Sequence, residues 1–206
     1  MDINDKRRKQ AHLWARDTLD WYVEPHECSR ALFRVEEFQG TIWDPACGFG
    51  RIVQQARSLD KIAIGSDIVK RGDICDFTAD FFSMESFPDF ENIITNPPFG
   101  RAEEFVRRAL EIIPPHGKVA AILPIVWLAG FSTKRHWLPK SPLCKVYPIS
   151  PRPSMPPGLV IEAGIKPGNG TKDYCWLVWK RDYIGKAEVI FLNTKHAREE
   201  VDFLGF

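Results

Sequence analysis

No stretch of this chain approaches the roughly 20 uninterrupted apolar residues that a membrane-spanning helix needs. Its residues 1–10 are charged where a secretory leader would be apolar. Both absences place the expected protein in the cytoplasm, away from membranes. Cysteine is scarce and awkwardly spaced: Cys28, Cys47, Cys75, Cys144 and Cys175 are odd in number and stand too far apart for zinc ligands or a redox pair. They read as reduced thiols. His12, His26, His116, His136 and His196 are equally scattered, so no metal site is expected. An excess of charge of one sign is missing too. The net charge of +1 lacks the basicity of a domain that grips a nucleic-acid backbone with its whole surface, so any such surface must be local. Internal repeats and low-complexity tracts are also missing. What remains is 206 residues, 44% hydrophobic and 12% aromatic, enough for one sizeable core and hence a single domain over residues 1–206.

Leu13, Trp14 and Leu19 among charges predict an amphipathic helix over residues 5–20, ahead of the pair Trp21-Tyr22 and Pro25. A second helix is expected over residues 27–38. Gly40 then separates it from Thr41-Ile42-Trp43, a short apolar strand ending at Asp44. The alternation continues with a helix near residues 51–59, a strand over residues 61–66 ending at Asp67, and a strand over residues 92–95 ending at Asn96. A helix over residues 101–113 leads through Pro114-Pro115 and Gly117 into an apolar strand over residues 118–126. Apolar strands alternating with helices imply a mostly parallel sheet covered on both faces, with ligands beyond the carboxyl ends of its strands. Residues 174–179 and 188–192 read as short strands with no helix between them, a hairpin-like antiparallel edge. The intervening residues 128–172 hold eight of the 16 prolines and read as a long irregular loop.

Two segments carry chemistry. In Asp44-Pro45-Ala46-Cys47-Gly48-Phe49-Gly50, glycines after a strand let the backbone approach a ligand, and the helix that follows offers free N–H groups. A full G-x-G-x-x-G is lacking and an acid precedes the turn. A pyrophosphate would be repelled by Asp44, whereas an ammonium group would be attracted. A cofactor bearing an amino acid and a nucleoside would use Asp67 to accept from ribose hydroxyls. In Asn96-Pro97-Pro98-Phe99, two prolines fix the chain and remove two N–H donors, leaving the carbonyls of Asn96 and Pro97 as acceptors. Acceptors placed on both protons of an aromatic amine pull it toward a tetrahedral shape with a free lone pair. Phe99 is positioned to stack on the base.

Together these segments, in this order and spacing, resemble the two signatures of S-adenosylmethionine-dependent amino-group DNA methyltransferases of the adenine-N6 type. The resemblance covers residues 20–128. It implies an α/β, Rossmann-like class I methyltransferase fold: a mostly parallel seven-stranded sheet with an antiparallel last strand. It implies S-adenosylmethionine as cofactor, with Asp44, Pro45, Ala46, Gly48 and Gly50 at its methionine end and Asp67 with Ile68 at its ribose and adenine. Asp80, followed by Phe81, matches the acid that the family sets on the adenine amine; Asp76 competes for that role. Trp21-Tyr22-Val23-Glu24-Pro25 is similar to the family's cofactor segment, but Glu24 stands where threonine is common. A carboxylate there argues against its direct contact with the cofactor carboxylate, and its other reading is a helix-start residue before Pro25. The catalytic set implied is Asn96, Pro97, Pro98 and Phe99.

Residues 130–170 carry Lys134, Arg135, Lys140, Lys145, Arg152 and Lys166 against one acid, Glu162. A locally basic loop of this kind suits a phosphate backbone, with Lys134, Arg135, Lys140 and Arg152 as expected contacts. Trp137, Tyr147 and Met155 either hold an extruded base or simply pack beneath the loop. Lys6-Arg7-Arg8-Lys9 is a second basic patch, readable equally as a solvated helix start. Methylation of a cytosine ring carbon needs a thiolate nucleophile, and Cys144, near Pro142, lies in no such motif. Methyltransferases of RNA bases and of protein glutamine share the Asn-Pro-Pro turn, the latter usually with tyrosine after the prolines. Both stay open beside DNA, as does an S-adenosylmethionine-binding module without catalysis. With little chain left for a recognition domain, specificity is expected to be short or lent by a homodimer or another partner.

Overall fold

The computed structural model describes residues 20–132 and 135–195. The helix expected over residues 5–20 and the run Lys6-Arg7-Arg8-Lys9 lie outside the described residues, apart from Asp20. Among the described residues four helices, α1 (His26–Val35), α2 (Arg51–Arg57), α3 (Ala102–Ile112) and α4 (Gly158–Glu162), are interspersed with nine strands. These are β1 (Ile42–Asp44), β2 (Ala63–Asp67), β3 (Phe77–Thr78), β4 (Asn92–Thr95), β5 (Lys118–Pro124), β6 (Leu143–Ser150), β7 (Tyr174–Lys180), β8 (Glu188–Val189) and β9 (Leu192–Asn193). Among the described residues, no helix is long and apolar enough to cross a membrane.

The strands form one sheet in the order β3-β2-β1-β4-β5-β7-β6-β8, with β9 beside β6. From β3 to β5 all neighbours are parallel, while β7 enters antiparallel between β5 and β6. Alternation along the central strands sends Ile42, Ile94, Ala120, Ile122, Trp176 and Val178 to a core shared with α1 and α2. Their neighbours Trp43, Ile93, Val119, Ala121, Leu177 and Trp179 go to a second core under α3. Both faces are thus covered. Trp43, Trp176 and Trp179 are fully buried, and truncating any one of them to alanine should cost about 3–5 kcal/mol.

This is the α/β sheet that the resemblance implies, with differences. The antiparallel strand is β7, but two short strands follow it, so it is not the last. Residues 174–179 and 188–192 do not pair with each other as a hairpin: β7 lies between β5 and β6, and β8 and β9 add to β6 in parallel. Residues 128–172 are not irregular throughout, since their middle forms β6, preceded by 3-10 turns at Ile125–Ser132 and Leu138–Lys140 and followed by α4. Pro148 obscured that strand. On the edge facing β8 and β9, the carbonyls of Val146 and Ser150 accept from the N–H groups of Ile190 and Thr194. Pro148 falls in the gap between those two short partners, where its missing N–H leaves no ladder bond unmade.

A buried ionic cluster ties the helical layer to the sheet. Glu36, just past α1, accepts from the Lys118 ammonium, from Lys145 Nζ at 2.9 Å and from the Tyr147 hydroxyl at 2.6 Å. Burial pushes the Glu36 carboxyl up, but these three donors outweigh it and hold it below the usual carboxylate range.

Candidate active site

Parallel neighbours present their carboxyl ends at one edge, so β2, β1 and β4, adjacent in that order, bring Asp67, Asp44 and Asn96 together. The chain leaves β1 toward β2 on one side and returns as β4 on the other, and at such a switch point a crevice opens. Here it is a cavity of about 410 Å³. Of the residues expected to bind a cofactor, Asp44, Pro45, Ala46, Gly48, Asp67, Ile68, Asp80 and Phe81 line it. Pro25 and Gly50 do not; Pro25 stands at the start of α1 and Gly50 at the start of α2. Of the expected catalytic set, Asn96 and Pro98 line the cavity. Pro97 is buried and is not part of the lining. Phe99 turns to stack on Tyr22, with centroids 5.7 Å apart and planes 12° off parallel, and leans on Tyr174.

The loop after β1 is shaped by its glycines. Gly48 and Gly50 both take positive φ, +52° and +77°, and a Cβ on Gly48 would lie 2.8 Å from the Trp21 indole nitrogen. Only glycine fits there without displacing the ring. Asp67 fastens this loop from the next strand, accepting from the Gly48 N–H at 2.8 Å and the Val69 N–H at 3.1 Å. Asp80 also faces the cavity while accepting from the Phe82 N–H and the Ser83 hydroxyl. Asp76 is engaged elsewhere, with the Arg57 guanidinium and the Gly65 N–H.

Sequence reasoning underrated Glu24. It caps no helix, since α1 begins after Pro25 without a side-chain cap. Instead Glu24 is 6% exposed and lines the cavity. Its Oε2 accepts from Asn96 Nδ2 at 2.8 Å, and the same Nδ2 donates to the Tyr22 carbonyl at 2.8 Å. Arg51 Nη1 anchors the Glu24 carbonyl at 2.8 Å. The short segment holding Tyr22 and Glu24 is itself sewn to the proline-rich segment: Val23 N–H donates to the Pro156 carbonyl and Gly158 N–H to the Trp21 carbonyl. Its likeness to a cofactor segment was the available signal. Nothing local marked Arg71, which also lines the cavity and lies 3.8 Å over the Trp21 ring.

The pocket is strongly acidic where it is driest. Burial pushes the Asp44 carboxyl well above the ordinary range, and the nearby Glu24 and Asp67 carboxylates push it the same way. Burial likewise raises Glu24, against the lowering pull of the Asn96 amide and Arg51. A ligand carrying positive charge relieves this crowding, whereas a pyrophosphate would worsen it. Among the described residues, no group of three or more His, Cys, Asp or Glu side chains is arranged to hold a metal ion.

The expected phosphate contacts are spread out. Lys134 lies outside the described residues. Arg135 is half-buried, 4.4 Å over the Trp127 ring and 3.8 Å from Glu103. Lys140 is exposed, and Arg152 forms a two-pronged exposed pair with Asp173. Tyr147 and Met155 belong to the core, and Trp137 donates to Glu103. Cys144 is a buried thiol whose pKa burial raises.

No protein-family model and no curated protein matches this chain. Solved structures do. The methyltransferase subunit of a type I restriction-modification system from Streptococcus thermophilus aligns with a TM-score of 0.55 at 13% identity, over 84% of this chain and 47% of its own. The M protein of the type I restriction enzyme EcoKI gives 0.52 at 17%, over 78% and 44%. An O-methyltransferase predicted in Agrobacterium tumefaciens gives 0.52 at 17%, over 82% and 85%. The chain spans about half the length of the two restriction-system proteins. The fold is the Rossmann-like class I methyltransferase fold.

Proposed function

We propose that this chain binds S-adenosylmethionine and transfers its methyl group to the exocyclic amine of adenine in DNA. The observation that carries the reading is the Asn96 amide. Its nitrogen faces two acceptors, a backbone carbonyl and a carboxylate. A reversed amide would set oxygen against oxygen at both, so the chemistry fixes the assignment. Among the described residues Oδ1 accepts nothing, and Asn96 lines the cavity. A preorganised acceptor therefore stands free beside a carboxylate-rich crevice. In this reading Pro97 supplies the second acceptor through its backbone carbonyl.

The residues fit the cofactor through charge and shape. Asp44 and the backbone around Pro45, Ala46 and Gly48 would hold the methionine end. Asp67 and Ile68, the latter 59% exposed at the cavity edge, would take the ribose and one face of the adenine, and Asp80 its amine. The cofactor supplies a methyl on a positively charged sulfur: the amine lone pair forms the N–C bond, the S–C pair returns to sulfur, and the nitrogen sheds its surplus proton to water. Asn96 and Pro97 orient the amine and favour its developing positive charge. Asn96 is the catalytic residue. The likeness of the fold to two restriction-system methyltransferase proteins supports DNA as the target; the exposed Lys140 supplies cationic surface for its backbone, and Arg152 would add to it by exchanging Asp173 for a phosphate.

The test is methyl transfer from labelled cofactor to duplex DNA, single-stranded DNA, RNA and protein, with nucleoside analysis of the labelled product. N6-methyladenosine from RNA, or label in protein glutamine, would replace the DNA reading. Cofactor binding without transfer to any of the four would leave a binding module.

A further inference from the structure

We infer that Glu24 is a positioning residue: its buried carboxylate, hydrogen-bonded to Asn96 Nδ2, aims the Asn96 amide at the target amine and makes its oxygen a stronger acceptor. This rests on the reading of Asn96 as the residue that engages the substrate. The geometry has three parts. Tyr22 and Glu24 lie on one segment, separated by a single residue, and both accept from the same nitrogen at 2.8 Å. That segment cannot drift, because Arg51 on α2 holds the Glu24 carbonyl and Pro156 and Gly158 hold the backbone on either side. The Glu24 carboxyl is buried, which strengthens its hydrogen bond to the amide.

A neutral acceptor would suffice to orient Asn96, and the Tyr22 carbonyl already is one. The carboxylate adds charge. A hydrogen bond to an ionised acceptor is roughly twice as strong as a neutral one, and an amide whose N–H points at a negative charge in a dry site carries more negative charge on its own oxygen. That oxygen faces an amine that becomes cationic as the N–C bond forms and the S–C bond breaks, so the benefit is greatest in the transition state. Glu24 lines the cavity, and the role inferred for it is exerted through Asn96. The charged and titratable groups around it are Arg51 on α2, Asp44 at the end of β1, and the Cys28 thiol on α1, which burial keeps protonated. Burial raises the Glu24 carboxyl, so its charge is lost at a higher pH than a surface glutamate's would be.

The experiment has two arms on the full chain. In the free protein, nitrogen–proton correlation spectra follow the Asn96 side-chain amide, identified by its loss in Asn96→Ala. Its signals should move with pH along a single carboxylate titration, and Glu24→Gln, which keeps an acceptor and the volume, should abolish that movement. In the second arm, Glu24→Gln should lower kcat for duplex DNA on the order of tenfold, leave the dissociation constant for S-adenosylmethionine within about twofold, and remove the fall in kcat toward acid pH. An Asn96 amide indifferent to pH, or an unchanged kcat and pH profile in Glu24→Gln, overturns the inference. If the wild type methylates no nucleic acid, the adenine reading fails by itself, and the amide titration still decides whether Glu24 governs Asn96.

Discussion

Asn96→Ala separates chemistry from binding. The substitution deletes the nitrogen that donates at 2.8 Å to both the Tyr22 carbonyl and the Glu24 carboxylate. The buried Glu24 carboxylate and the Tyr22 carbonyl each lose this donor, which should cost about 1–3 kcal/mol of stability and lower the melting temperature by roughly 2–10 °C for a domain of this size. A domain with the usual 5–15 kcal/mol stays folded. The missing Oδ1 matters more. Removing one preorganised polar group from a transition state costs about 10²- to 10³-fold in rate, and the cofactor half, built on Asp44 and Asp67, keeps its hydrogen bonds to Ala46, Gly48 and Val69. Single-turnover methylation of duplex DNA at saturating cofactor, run well below the lowered melting point, measures the first effect. Calorimetric titration with S-adenosylmethionine measures the second, and the dissociation constant should stay within about threefold. Asn96→Asp, which turns a carboxylate on Glu24, should destabilise more than alanine does at pH 8. Near-wild-type methylation by Asn96→Ala would refute the reasoning, because the free acceptor would then have no part in the reaction.

Asp67→Ala removes the acceptor that fastens Gly48 and Val69 and should weaken S-adenosylmethionine binding about 10- to 100-fold by calorimetry; unchanged affinity removes Asp67 from the site. Gly158→Ala would place a Cβ 2.2 Å from the Trp21 ring, so it should displace the Tyr22–Glu24 segment and slow methylation at least tenfold without abolishing folding; an unaffected rate would mean that the segment tolerates displacement. Replacing Arg135, Lys140 and Arg152 together by alanine should flatten the salt dependence of DNA binding by about one unit of slope for each phosphate that is no longer neutralised, and an unchanged slope puts the DNA elsewhere. Glu36, held below its ordinary pKa in the fold, contributes stability that is present above about pH 4.3, the unfolded value, and lost as pH falls through the folded value; acid unfolding followed by circular dichroism should shift to higher pH in Glu36→Ala, which should also be less stable by about 3–5 kcal/mol at neutral pH.

The strands legible in the sequence are those buried on both faces. β1, β2, β4 and β5 were legible because the apolar side chains of each enter one of two cores. Their ends, Asp44, Asp67 and Asn96, were legible for the same reason, since a polar residue that stops an apolar run marks the sheet's edge. β6 was hidden by Pro148, whose compatibility depends on which edge it faces and on what lies beyond it. The apolar run over residues 188–192 misled in the opposite sense. Val189 and Phe191 are 60% and 84% exposed while Leu192 is buried in the core, so most of the hydrophobicity there reports no core, and the run splits into two short edge strands instead of one hairpin arm.

The acceptor side of the site was harder to read because no single segment builds it. Asn96 ends a central strand, the groups that orient its amide come from residues 22 and 24, and the backbone of that segment is fixed by Pro156 and Gly158. Each contribution is locally bland: a carbonyl, a glutamate before a proline, a glycine opening a short helix. What gives them meaning is pairing between positions far apart in the chain, with Trp21 wedged against Gly48 on one side and Gly158 on the other. The cofactor side needs only consecutive strand ends, which parallel topology brings together automatically. The acceptor side needs long-range pairing that periodicity does not encode. In the proposed reading the proline-rich segment therefore bears on the chemistry through backbone atoms, the Pro156 carbonyl and the Gly158 N–H, which hold the segment of Tyr22 and Glu24.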